Sequence, residues 1–277
     1  MKIKDLHNEN LRDIVEPCIC EEWIEKFAKW HDVDIERVRE TFFKGAKLKI
    51  DWIRKRLPLG YKAKIAYEGK NPIGFIDYSP IEIAKESISG HDITLINCIL
   101  VIPSHSYRGK GYGRVLLESA EAEAEKTSRG IAVVAHNHPG WMPASFFTKW
   151  GYKLVDELDG EIKEMLMLKT FRSVEPPRFV KQKYGYRPHS TSQRMVVEIF
   201  WSGICPHNLL SVELLKDVLN EFDDKVFVKE VATNDLASDV IKEYGHSYGV
   251  YINGKPTFWL LGASRDEIRQ EIESNFQ

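Results

Sequence analysis

Apolar and polar residues follow two different periods along this chain, and the two periods outline its elements. Between Ile35 and Leu57 the apolar positions Val38, Phe42, Ala46, Ile50 and Ile53 recur at helical spacing. Lys44, Lys47, Lys49, Arg54, Lys55 and Arg56 lie off that stripe and read as a solvated face. Asp34 supplies an N-cap, with Arg37 where a capping box would want Glu, and Pro58 ends the helix. Leu11 to Trp30 carries the same periodicity, broken at Pro17. Met1 to Leu6 alternates weakly, as an edge strand does. Tyr61 to Tyr67 and Pro72 to Ile83 flank Glu68-Gly69-Lys70-Asn71 and read as a hairpin.

Ile96 to Ile102 is an apolar run too dense for a half-exposed strand, so it predicts one buried on both faces. Arg108-Gly109-Lys110-Gly111-Tyr112-Gly113 follows, with a glycine at every second position. Leu116, Leu117, Ala120 and Ala124 then recur at helical spacing, with Glu118, Glu121 and Glu125 opposite and Glu123 on the apolar side. Gly130 to Ala135 is a second apolar strand, and Ala144 to Trp150 a short helix. Tyr152 to Val155 and Ile162 to Leu168 close a mostly antiparallel sheet, so the pattern is α+β.

The pattern changes from Phe171 to Arg194, where Pro, Gly, Tyr and Ser interrupt every period, and the segment reads as a linker or strap. A second unit follows in the order strand, helix, strand, helix, hairpin, helix. Its parts are Met195 to Trp201, Asn208 to Phe222, Lys225 to Val231, Asn234 to Tyr244, a hairpin turning at Asn253-Gly254, and Ser264 to Ser274. Ser264 and Glu267 form a capping box. The expected division is 1–171, 172–194 and 195–277.

Composition changes this picture little. With 39 Lys and Arg against 41 Asp and Glu, the net charge is −2, so bulk electrostatics calls for no nucleic acid. No apolar window is long enough to span a membrane, and the start has no signal-peptide core. Four cysteines without a disulfide-framework spacing fit a reducing cytoplasm. Cys18-x-Cys20 is too short a motif to specify a metal.

The chemistry starts at the glycine-rich turn. A turn of this kind feeding a helix leaves several backbone N–H groups pointing one way, and the helix dipole with Arg108 and Lys110 makes an anion site there. The spacing is neither a Walker A loop nor a dinucleotide fingerprint. It closely resembles the pyrophosphate loop of the GNAT N-acetyltransferases, Arg/Gln-x-x-Gly-x-Gly/Ala after an apolar strand. Phe146-Phe147-Thr148-Lys149-Trp150-Gly151-Tyr152 is similar to that family's F-Y-x-K-x-G-F segment. The resemblance covers roughly the first 170 residues and is strongest over 96–155.

What the resemblance implies is an acetyl-CoA-dependent transfer to a primary amine of an unidentified acceptor, a small molecule or a peptide. The pantetheine arm would pair with the backbone of Leu100, Val101 and Ile102 in a splayed opening. Arg108, Gly109, Lys110, Gly111, Tyr112 and Gly113 would hold the pyrophosphate. The sequence departs from the family at Pro103 to Tyr107, which lengthens the approach to the loop, and between Asn137 and Ala144, which is also longer. It departs as well at Phe147, where the family often has a tyrosine general acid. Histidines titrate near neutrality, so His136, His138 and His105 are the candidates for proton transfer, with Asp77 beside them. Each, taken singly, reads as a surface or capping residue before a catalytic one, and His136 and His138 gain from lying just past the second parallel strand. Cys98 reads as a core residue, and Trp141, Met142 and Phe146 as a pocket wall or a plug.

The second unit resembles a thioredoxin-like domain, and the two halves together resemble the YoaP-like group of bacterial GNAT proteins. In Phe200-Trp201-Ser202-Gly203-Ile204-Cys205-Pro206-His207-Asn208, Cys205 stands where the nucleophilic cysteine would be and Asn208 where the resolving one would be. Tyr248 stands near the place of the expected cis-proline. A degenerate domain used for packing, homodimerisation or substrate contact is the expectation. The rival readings are a CoA-binding sensor without turnover and a monothiol redox protein centred on Cys205.

Overall fold

A computed structural model describes residues 1–84, 88–107, 109–138, 141–158, 163–180, 194–202, 204–222, 224–232, 249–257 and 263–276. Two compact units emerge, one made of Met1–Glu22 with Ile50–Val180 and the other of Trp23–Lys49 with Lys181–Gln277. The sequence-based division keeps Trp23–Lys49 with the first domain, whereas its contacts group it with Lys181–Gln277. Among the described residues no helix is long and apolar enough to cross a membrane.

The first unit is a mixed α+β fold on a seven-stranded sheet. Its strands are β1 (Lys2–Asp5), β2 (Lys62–Glu68), β3 (Asn71–Pro80), β5 (Ile93–Val101), β6 (Gly130–His136), β7 (Lys153–Leu158) and β8 (Glu164–Thr170). Their spatial order is β1-β2-β3-β5-β6-β8-β7. Every neighbouring pair is antiparallel except β5 and β6. Helix α3 (Tyr112–Thr127) crosses between those two, as a parallel connection requires. It buries Leu116, Leu117, Ala120 and Ala124 against one face of the sheet. Fully burying each leucine stabilises by about 1.5–3 kcal/mol. Glu123, on the apolar side, is met by Lys62 at 2.8 Å and Lys126 at 3.6 Å, and these cations hold its carboxyl below the usual range. Helix α4 (Ala144–Lys149) adds Phe147 to the same core.

The expected linker begins later than its composition suggests. β9 (Arg178–Phe179) pairs with β4 (Ile88–Ser89), so the chain as far as Val180 belongs to the first unit. Residues 181–193 lie outside the described residues.

The second unit is a four-stranded sheet of order β11-β10-β12-β13, formed by β10 (Met195–Trp201), β11 (Val226–Ala232), β12 (Gly249–Ile252) and β13 (Lys255–Thr257). Only the β10–β11 pair is parallel. The hairpin turn has φ of 49° at Asn253 and 80° at Gly254, the left-handed pair that Asn-Gly favours. The Ser264–Glu267 capping box opens α6 (Arg265–Ser274) as expected. The expected helix at Asn234 to Tyr244 lies outside the described residues.

Helix α5 (Pro206–Asn220) is buried on more than one side: Val212, Leu215, Val218 and Leu219 pack with the sheet and with Ile268 and Ile272 of α6, and the chain's N-terminal helices cover its first turn. α1 (Glu21–His31) and α2 (Ile35–Arg56) contribute their Trp23–Lys49 part to this unit. Arg37 pairs with Asp217 at 2.6 Å, and Lys44 and Thr41 both reach Glu213 at 2.8 Å, so α2 runs antiparallel to α5. Where they meet, a Cβ built on Gly45 would stand 2.6 Å from the Pro206 Cα. Lys49 is only 3 % exposed, against the expectation of a solvated face. Its position explains this, since it falls three residues after Ala46 and four before Ile53, on the buried stripe itself. His207, in the first turn of α5, is caged by Trp23, Phe27 and Phe42 with ring centroids 5.1, 4.8 and 4.9 Å away.

Two stability tests follow from this packing. Gly45→Ala, a change that stabilises most helix interiors, is expected to destabilise the protein by about 1–3 kcal/mol in denaturant unfolding, because the added methyl overpacks against Pro206 backbone. His31 stacks on Trp30 at 5.3 Å, and burial lowers its pKa below 6.5. The unfolded chain therefore takes up a proton near that value while the folded one does not. Stability is full above pH 6.5 and is lost as pH falls from there toward the folded pKa. Unfolding curves at pH 7.5 and 5.5 check this, and His31→Phe should reduce the difference.

Candidate active site

The site begins where two parallel strands part. β5 and β6 pair from Ile93↔Gly130 only as far as Ile96↔Val133. β3 stays with β5 to Val101, so the far half of β5 is held on one edge and open on the other. This corrects the expectation of a strand buried on both faces: Ile93 to Ile96 are buried, whereas Asn97 to Val101 are half-buried. The parting coincides with an irregularity in the ladder. Asp77 faces Cys98 and Tyr78 faces Ile96, which leaves Asn97 as an extra residue, a β-bulge.

The bulge resets which side chains face which way. Ile96 and Ile99 both pack in the core under α3, together with Ile76 and Tyr78 of β3. Asn97 and Cys98, lying between them, therefore turn to the opposite face, where Asp77 also points. On β6, Ile131, Val133 and Ala135 face α3 while Ala132 and Val134 join the other core. Alternation then puts His136 on the same face as Asp77 and Cys98.

Backbone polarity at the opening follows from the same alternation. Ile102 donates its N–H to the Ile73 carbonyl at 2.9 Å, on the β3 side. Its neighbour Val101 therefore turns its N–H and C=O to the open side, and so does Ile99. Of the three expected backbone partners, Val101 has this orientation, while Leu100 and Ile102 face β3. Across the opening, Asn137 donates to Lys163 at 3.1 Å on the β8 side, so the His136 N–H points toward β5. The Met142 carbonyl accepts it at 3.1 Å, and Pro143 bridges to His136. The chain after β6 thus folds back along its own edge, with Met142 at φ 36°, a strained value for a side chain. Met142 is 7 % exposed and belongs to the α3-side core, and Trp141 is exposed.

At the mouth of the opening stands the N-terminus of α3. Gly111 is its N-cap at φ 78°, Gly109 has φ 74°, and no side chain caps the helix. The N–H groups of Tyr112, Gly113 and Arg114 precede the first intrahelical donor, Val115, whose N–H reaches the Gly111 carbonyl at 3.1 Å. A Cβ at Gly109 or Gly111 would meet nothing within 4 Å, so the glycines are required there by their positive φ and not by crowding. The Gly113 position lies 3.7 Å from the Phe146 ring. Lys110 is exposed, and Arg108 lies outside the described residues. Tyr107 and Tyr112 flank the turn with ring centroids 6.0 Å apart.

The candidate proton carriers separate. His136 is half-buried on the face described above, whereas His105 and His138 are exposed on the loops after β5 and β6. Phe147 is fully buried against Phe146 and Tyr152, at 5.2 and 5.4 Å between centroids. Asp77 is 2 % exposed and lies by the fully buried Tyr61. Burial, with the Asp77 carboxylate beside it, raises the Tyr61 hydroxyl well above its ordinary pKa, so it stays protonated. Sequence reasoning passed over Asn97. Its side-chain nitrogen is shielded from water and meets no acceptor among the described residues. A buried donor left so costs about 1–3 kcal/mol. The available signal was one amide in the middle of an otherwise apolar run.

No curated protein matches the chain. Among solved structures, PaiA N-acetyltransferase from Thermoplasma acidophilum in complex with coenzyme A is 22 % identical, over 62 % of this chain and 100 % of that one, with a TM-score of 0.44. Aminoglycoside 6'-N-acetyltransferase from Enterococcus faecium is 16 % identical, over 61 % of this chain and 97 % of that one, with a TM-score of 0.43. A GNAT family acetyltransferase from Brucella melitensis, in complex with acetyl-CoA, is 13 % identical over 63 % and 90 %, with a TM-score of 0.40. Residues 61–154, which run from the start of the β2–β3 hairpin through the opening and the α3 turn to β7, match the model of the acetyltransferase (GNAT) domain.

Proposed function

We propose that the protein is an N-acetyltransferase that moves an acetyl group from acetyl-CoA to a primary amine. The observation that carries this reading is the early parting of β5 from β6 directly before an uncapped helix N-terminus. The pyrophosphate of CoA suits the N–H groups of Gly111 to Arg114 and the charge of Lys110. The pantetheine amides suit the open backbone of Val101 and Ile99, as an added strand would. The matched acetyltransferase domain spans both features.

The amine attacks the thioester carbon, a C–N bond forms, and the C–S bond breaks. His136, half-buried on the face opposite α3, accepts the proton the amine sheds. His105 and His138 serve the surface on this reading. CoA leaves as thiolate, which a thiol pKa of about 8.5 permits without a general acid, so a buried phenylalanine at Phe147 is tolerated. The acceptor is an amine-bearing small molecule or peptide, in keeping with the aminoglycoside acetyltransferases among the similar structures. The C-terminal unit is a thioredoxin-like domain of the YoaP-like kind, with a packing role. Cys205 is its helix N-cap, but the next two residues, Pro206 and His207, are buried beneath α1 and α2. That arrangement suits a packing surface better than a docking site for thiol–disulfide exchange. The free thiols fit the cytoplasm.

Acetyl-CoA at about 100 times its dissociation constant should stabilise the protein by about 2.7 kcal/mol in thermal unfolding. Gly111→Glu should abolish that shift, because a side chain at φ 78° strains the turn and its carboxylate takes the anion's place. Absence of a shift in the wild type would remove the reading. CoA release with a panel of amines tests turnover, and His136→Gln should lower kcat by about 10²–10⁴-fold without changing the thermal shift. A shift without CoA release from any amine would favour a CoA sensor.

A further inference from the structure

Resting on that reading, we infer that Asn97 is a catalytic residue, whose side-chain N–H donates to the thioester oxygen as it becomes an oxyanion. Two observations and one consequence of the proposed binding converge on it. Asn97 is the inserted residue of the β5 bulge, one position past the last β5–β6 pair, and so sits at the apex of the opening. An arm paired with Val101 and then Ile99 runs along β5 toward that apex, so its reactive end arrives beside Asn97. The Asn97 nitrogen, finally, is a donor with no acceptor among the described residues.

The bulge accounts for how such a donor persists. In a regular ladder Asn97 and Cys98 would face opposite sides, and one of them would enter the core under α3. The inserted residue turns both toward the side where Asp77 and His136 lie. Asn97 as a whole is half-buried, and the torsion that carries its amide is broad. Rotation about that bond can re-aim the nitrogen, and an incoming carbonyl supplies the acceptor it lacks.

In the step itself, the amine nitrogen bonds to the carbonyl carbon and the π pair moves onto oxygen. That oxygen accepts the hydrogen bond from Asn97. When the pair returns, the C–S bond breaks and sulfur leaves with its electrons, while the nitrogen's extra proton goes to His136. The side chain neither gains nor loses a proton.

The test uses the full-length protein. Asn97→Asp keeps the shape and removes the donor, Asn97→Ala removes the side chain, and Asn97→Ser retains a hydroxyl donor. Asp and Ala are expected to lower kcat by about 10²–10³-fold, with Ser between them and the wild type. Thermal stabilisation by CoA, which lacks the thioester carbonyl, should be unchanged in all three. Acetyl-CoA labelled with ¹³C at the carbonyl gives a readout without turnover. Its bound resonance should move downfield in the wild type and return toward the free value in the Ala variant. An unchanged kcat with an unchanged bound resonance in Asn97→Ala overturns the assignment. A wild type that binds acetyl-CoA but releases no CoA overturns the transferase reading itself, which the first comparison separates from a failure at Asn97.

Discussion

The parting of β5 and β6 after Ile96↔Val133 sets the terms for the rest of the first unit. Two parallel strands that separate leave one edge of each without a partner, and unpaired backbone in a half-buried place is costly. Each edge meets that cost differently. β6 folds the chain after it back on itself, so that the Met142 carbonyl takes the His136 N–H. Among the described residues β5 has no such cover, and its open groups at Ile99 and Val101 are what a ligand carrying amides can use. The asymmetry gives the opening one adhesive wall and one sealed wall.

The seal carries local strain, and the bulge breaks the regular ladder. Met142 holds φ 36° to place its carbonyl, and Asn97 interrupts the ladder to turn two side chains away from α3. Such features persist where the surroundings fix them. Here β3 pairs with β5 through Val101, and α3 anchors the core with Leu116 and Leu117. The regular part of the fold thus holds an irregular part in place.

The second unit shows a similar economy at another scale. Helix α5 presents apolar residues on too many sides for a four-stranded sheet alone to cover. Trp23, Phe27 and Phe42 cover His207, and Gly45 lets α2 come close to Pro206. A stretch far away in sequence therefore completes this unit's packing, and the cysteine-proline turn becomes part of a packed surface.

Local periodicity determined much of this protein. The helical stripe of α3, the apolar strands around it, the Asn253-Gly254 turn and the Ser264 capping box all follow from spacing and turn chemistry, which act over a few residues. The glycine turn was legible for the same reason, since alternating glycines before a helix leave N–H groups exposed whatever surrounds them. Tertiary structure alone decided three things. Ile96 to Ile102 reads as an apolar run broken only by Asn97, and nothing in it tells that every residue after Ile96 lacks a neighbour on β6, because that depends on where β6 turns away. Which of Leu100, Val101 and Ile102 faces the opening depends on the hydrogen bond from Ile102 to Ile73, a residue on another strand. Trp23–Lys49 looks like the opening of the first domain because it precedes it in sequence, yet its partners come from α5, 150 or more residues later. Periodicity reports which face of an element is apolar, and only contact across the chain decides what that face meets.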